Sequence, residues 1–161
     1  MNIFEFAMQM EKDGEEYYRE LAANTTNQGL QAICRMLAED EAKHFGIMKQ
    51  VRDAMNPRLV ETEILSRARN VFQQLKEEGG KTVVELSQIE LYRRAQEIEK
   101  KSEAFYLEKA AAVMDDYVHG LLTGIAGEEA RHYFLLENII QFVSRPDTWL
   151  ENAEFTHLDD Y

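Results

Sequence analysis

The sequence predicts an all-α protein: a four-helix bundle of two repeated helical hairpins, joined by a long crossover that contains a short helix. Three observations carry this. Apolar residues recur at helical spacing along most of the 161 residues. Only 2 prolines interrupt the chain, and the first, Pro57, stands where a long helical pattern stops. Two stretches repeat without a gap at an offset of 88 residues: EKDGEEYYRELA (11–22) with EKKSEAFYLEKA (99–110), and LAEDEAKHFGIM (37–48) with IAGEEARHYFLL (125–136).

The elements follow in order. A first helix over about 2–23 places Phe4, Ala7, Met8, Glu11, Tyr18 and Ala22 at helical spacing. ANTTN (23–27) breaks it with residues suited to turns and caps. A second helix, about 28–55, carries Leu30, Ile33, Leu37, Glu41, His44 and Met48 on one stripe and stops at Asn56-Pro57. The connection that follows holds a shorter amphipathic helix, ETEILSRARNVFQQLKEE, closed by Gly79-Gly80. Long helices are expected over about 84–112 and 116–143, separated by MDD, and SRPDTWLENAEFTHLDDY forms a C-terminal helix or cap. The whole is expected to be one domain, 1–161: hairpin 1 at 1–56, crossover 57–83, hairpin 2 at 84–143 and cap 144–161. Tight turns within the hairpins and a long link between them give the connectivity of the ferritin-like plan. An up-down-up-down bundle would not need so long a link.

Composition narrows the function. The formal charge of −12, from 30 acidic against 18 basic residues, argues against nucleic acid or an anionic membrane as partner. No stretch approaches the ~20 apolar residues of a membrane span, and the charged N-terminus does not read as a signal peptide. The single cysteine, Cys34, rules out an intrachain disulfide and a CxxC metal knuckle and points to a reducing, cytoplasmic setting. As a small buried thiol, Cys34 is expected to be inert.

The repeat carries the candidate site. Glu11 and Glu41 are equidistant from the first turn, and Glu99 and Glu129 from the second, so each pair is level across its hairpin. The pairs lie roughly 15 residues, or ~22 Å, from the turns. His44 and His132 follow three residues on, along the same face. Glu11, Glu41, His44, Glu99, Glu129 and His132 thus make single glutamates on helices one and three and Glu-x-x-His pairs on helices two and four. That is the ligand set of carboxylate-bridged dinuclear bundles. Two neighbouring cations repel, so about four carboxylates are needed to balance and bridge them. One imidazole per metal favours Fe or Mn over Ca or Mg. Glu-x-x-His alone is weak evidence in a chain with 22 glutamates: Glu154-x-x-His157 and Asp116-x-x-His119 are decoys with no level glutamate upstream. The shared offset is what separates signal from decoy.

Around this set, Tyr18 and Tyr106 stand seven residues after Glu11 and Glu99, placed to bond a site carboxylate. Glu15 and Glu103, one turn from the single glutamates, are candidates for an auxiliary carboxylate, and Glu103 or a tyrosine for the acid. Glu39, Asp40, Lys43, Glu16, Glu20 and Glu128 read as solvated surface, and His119 and His157 as surface or packing residues.

The E-x-x-G/S-x-x-x-Y segments from Glu11 and Glu99, with EAKH (41–44) and EARH (129–132), resemble the rubrerythrin branch of the ferritin-like superfamily. The resemblance covers roughly 1–55 and 85–143 and implies two iron ions that react with hydrogen peroxide or dioxygen, in oxidative-stress defence. It also implies a homodimer. Two departures stand out. Rubrerythrins usually append a rubredoxin domain with a four-cysteine iron, whereas one cysteine here implies an external electron-donor protein. Rubrerythrins also carry a glutamate three residues after the third-helix ligand, where this chain has Ser102 beside Glu103. The expected function is a peroxidase or oxidase of this type. The alternative is iron binding, storage or delivery without turnover; a bundle that keeps metal for stability alone is a third reading.

Overall fold

The computed structural model describes residues 2–77 and 88–144. Among them are five helices and no strand: α1 (Ile3–Asn24), α2 (Gln28–Arg52), α3 (Ile64–Glu77), α4 (Ile89–Ala112) and α5 (Asp116–Ser144). The all-α bundle of two hairpins with a helix in the crossover is therefore as the sequence predicts. Gly79-Gly80, residues 84–87, and the C-terminal cap with Glu154 and His157 lie outside the described residues.

Side-chain caps fix the helix starts. Asn2 accepts from Glu5 N at 2.9 Å, Asn27 from Leu30 N at 2.9 Å, and Asp115 from Val118 N at 3.0 Å. In the first turn Thr25 Oγ1 donates to Leu21 O at 2.6 Å, holding the last carbonyls of α1. Gln88 Nε2 donates to Asn24 O at 2.7 Å, so the start of α4 sits at the end of α1. The turns of the two hairpins therefore lie at opposite ends of the bundle.

α2 stops three residues before the expected position. Ala54 N donates to Val51 O and Met55 N to Gln50 O, the paired bonds of a Schellman close, with Ala54 in the left-handed region at φ 61°. This turns the chain out of the helix ahead of Pro57. α3 begins three residues later than expected, because Thr62 is held in the crossover by contacts described below. The crossover lies close on α5: a Cβ on Gly124 would stand 2.6 Å from Leu59 Cδ2, so a larger residue there would make the Leu59 side chain shift.

The buried apolar residues form two clusters. One surrounds the first turn and α3 and includes Leu21, Leu30, Leu37, Phe72, Tyr92 and Phe142. The other, toward the opposite end, includes Ala7, Met48, Tyr106, Leu122 and Ile125. Between them the four long helices bring polar side chains inward.

Candidate metal centre

Glu11 from α1, Glu41 and His44 from α2, Glu99 from α4, and Glu129 and His132 from α5 all face the space between the two apolar clusters and are buried. They fall into two groups able to hold a metal ion, Glu11–Glu41–His44–Glu129 and Glu41–Glu99–Glu129–His132, which share Glu41 and Glu129. His44 Nδ1 lies 2.8 Å from Glu129 Oε1 and 3.6 Å from Glu11 Oε2. His132 Nδ1 lies 3.2 Å from both Glu41 Oε1 and Glu99 Oε1. The imidazoles are nearly parallel, with centroids 6.1 Å apart. The helical period explains the convergence. A residue and its neighbour three positions on share one face, and pairs level across each hairpin bring that face to one height.

The donor set suits a pair of cations. Six buried polar atoms here make no hydrogen bond: Glu11 Oε2, Glu41 Oε1, His44 Nδ1, Glu99 Oε2 and both Glu129 oxygens. Buried polar atoms rarely go unpartnered in a folded protein. Six aimed at one space, as oxygen and imidazole donors, form a set able to hold metal.

Four further atoms of the site are held from outside. Tyr18 OH donates to Glu99 Oε1, and Tyr106 OH to Glu11 Oε1 at 2.6 Å, so each tyrosine bonds the glutamate of the other hairpin. Burial, and then the adjacent Glu99 and Glu11 charges, push the two phenols well above their ordinary range, so both stay protonated donors. The outward imidazole nitrogens donate to carboxylates: His44 Nε2 to Glu128 Oε1 and His132 Nε2 to Asp40 Oδ2, both at 2.8 Å. These bonds aim each Nδ1 inward. Thr62 ties both outer carboxylates together, its hydroxyl donating to Asp40 Oδ2 at 2.6 Å and its backbone N–H to Glu128 Oε2 at 3.1 Å. Lys43 Nζ donates to Glu128 Oε1 at 2.9 Å and to Val60 O at 3.1 Å.

This corrects the reading of Asp40, Lys43 and Glu128 as solvated surface. Glu128 is buried, Asp40 and Lys43 are half-buried, and all three belong to a polar layer outside the histidines. The offset of 88 held the missed signal, since it relates Asp40 to Glu128 as it relates His44 to His132. Glu39 remains exposed, near Arg67 at 3.9 Å. Glu103 is half-buried and Glu15 pairs with Arg19 at 2.8 Å; neither enters the two groups. His119 is exposed and donates from Nδ1 to Ala110 O at 2.7 Å, away from the site.

Protonation follows from crowding. Burial opposes charge on His44, but the nearby Glu11 carboxylate and the bond to Glu128 prevail and raise it to about 10. His132 likewise rises well above its ordinary range, burial opposing and Glu99 and Asp40 prevailing. Glu11 and Glu99 resist burial through His44 and His132 and sit below the usual carboxylate range. Burial and the neighbouring carboxylates push Glu41 and Glu129 well above it. In the outer layer, Asp40 is held down at about 2, burial being outweighed by His132 and Thr62, and Glu128 is lowered by His44 and Lys43 against its burial.

Among the described residues no helix is long and apolar enough to cross a membrane. No curated protein and no solved structure matches the chain. The family model for rubrerythrin, however, matches residues 2–140, spanning all five helices but the last residues of α5. The paired carboxylate–histidine groups and that match agree, and the chain belongs to the rubrerythrin family.

Proposed function

We propose that this chain is a non-haem di-iron protein whose centre reacts with hydrogen peroxide or dioxygen. The six inward-facing atoms without hydrogen bonds, distributed over two groups that share two glutamates, carry the proposal. Glu11, Glu41, His44 and Glu129 would hold one iron, and Glu41, Glu99, Glu129 and His132 the other. Bound there, two Fe(II) ions supply two electrons, one each, enough with two protons to reduce one hydrogen peroxide to two waters.

The chain's own residues set the conditions for that chemistry. Glu41 and Glu129, common to both groups, are the residues able to bridge. Glu128 and Asp40 take the outward N–H of each imidazole and leave Nδ1 as the inward donor atom. Tyr18 and Tyr106 hold their protons on Glu99 and Glu11 and fix the orientation of those carboxylates. The apolar clusters at either end exclude water, which strengthens every charge interaction at the centre. An external one-electron donor protein would return the centre to its reduced form.

The test is anaerobic loading with Fe(II), then peroxide, followed by optical spectroscopy. Rapid oxidation is expected in the natural sequence and not in Glu41→Ala or Glu129→Ala; equal rates in the variants would sink the reading. Saturation near two irons per chain separates it from storage, which requires more.

A further inference from the structure

We infer that the cavity between α1 and α4 binds the apolar tail of an organic hydroperoxide and presents its O–O group to the centre. The inference rests on the peroxide reading above and narrows its substrate. The cavity is a groove open to solvent and measures about 680 Å³, room enough for a small organic molecule. Its apolar walls are Phe6, Met10, Tyr17, Ile98 and Phe105, with the Phe6 and Phe105 rings 5.1 Å apart. Hydrogen peroxide needs no such space and no such walls. An aryl or alkyl tail gains from both, because burying apolar surface is favourable roughly in proportion to its area.

What ties the cavity to the centre is its lining at Gly14 and Ser102. These two are related by the same 88-residue offset, one turn beyond Glu11 and Glu99, and both are buried. A Cβ on Gly14 would stand 3.1 Å from Glu41 Oε2, so the backbone of this cavity wall lies directly against a shared carboxylate. Neither position carries a long side chain, and at Gly14 the glycine backbone stands between the groove and Glu41. The charged lining residues Asp13, Lys101 and Glu108 are exposed and of both signs, so they favour no single charge on a ligand. The step balances: the O–O bond of ROOH breaks, two Fe(II) give one electron each, two protons come from solvent, and ROH and water leave.

The test has a binding arm and a reactivity arm. In metal-free protein, ligand-observed NMR should show 2-phenylpropan-2-ol, the alcohol from cumene hydroperoxide, binding to the natural chain and to Ala111→Trp. Ala111 is exposed on α4 outside the cavity. Ala104→Trp, which fills the cavity from its exposed wall, should weaken binding at least tenfold. With Fe(II) loaded, the ratio of oxidation rates with cumene hydroperoxide and with hydrogen peroxide should fall at least tenfold in Ala104→Trp and hold in Ala111→Trp. Binding that ignores Ala104→Trp, or an unchanged ratio, overturns the inference. So does a dimer that covers this face in solution and excludes the alcohol. Absence of alcohol binding with peroxide reactivity intact sinks this inference alone. Failure of both peroxides with binding intact sinks the proposed function and the hydroperoxide assignment with it.

Discussion

Loading the centre with divalent metal should release about four protons for each pair of ions, and the number follows from the groups involved. In the metal-free protein His44 and His132 are raised and hold both protons, giving two imidazolium ions. Their neighbours shift Glu11 and Glu99 toward the ionised form, and burial with the adjacent carboxylates shifts Glu41 and Glu129 toward the neutral form. Two positive and two negative charges leave the interior neutral. Loaded with two doubly charged cations, the centre would set four carboxylates against them and be neutral as well. Passing between these states removes one proton from each of His44, His132, Glu41 and Glu129, since a metal ligand must be deprotonated. Asp40 and Glu128 contribute none, being ionised in both states. Protons therefore compete with metal, and affinity rises with pH. Two protons per ion correspond to about a 100-fold change in affinity per pH unit, expected between about pH 6 and 8, well below the His44 value of about 10. Calorimetry with Mn(II) at pH 7, in buffers of different ionisation enthalpy, gives the proton count directly. A release below about two would mean neutral imidazoles and ionised glutamates before loading, which refutes the reasoning.

Two further outcomes follow from the same structure. Glu128→Gln weakens the hold on His44, and Asp40→Asn the hold on His132, so each should lower affinity about 10–100-fold at one of two sites. Chelator competition should resolve two steps, with a different step moving in each variant; both steps moving together in both variants would contradict the assignment. The Cys34 thiol, pushed by burial from 9.0 to about 12, stabilises the fold fully below pH 9 and loses that contribution as pH rises toward 12. The loss is at most about 4 kcal/mol. Urea midpoints of the natural chain should therefore drop toward, or below, those of Cys34→Ala between pH 9 and 11, and parallel curves would show that the thiol is not shielded.

Much of this fold was legible because helical spacing and an exact-length repeat are one-dimensional signals. The six inward residues lie on two such repeats, and the level-pair geometry needs only chain distances from the turns. What stayed hidden depends on the crossover, which has no copy in the repeat. Nothing in ETEIL says that Thr62 will spend its hydroxyl on Asp40 and its N–H on Glu128. Without that partner both acids look like the outer face of their helices, and α3 looks free to start at residue 61.

The crossover also breaks the symmetry that the repeat imposes. Lys43 and Arg131 are related by the same offset, yet Lys43 bonds Glu128 and Val60 O, whereas Arg131 bonds Glu61 at the exposed surface. Glu128 thus answers to His44, Lys43 at 2.9 Å and a backbone N–H, and Asp40 to His132, one hydroxyl and Lys43 only at 4.0 Å. A carboxylate shared among more donors has less negative charge to offer its imidazole. As a ligand His44 would then be the less basic of the two by environment, and a metal ion held by its group the more weakly bound. Removing the ammonium with Lys43→Met should free Glu128 for His44 and bring the two affinities closer together. If the gap between the chelator-competition steps widens instead, the outer layer is not what distinguishes the sites.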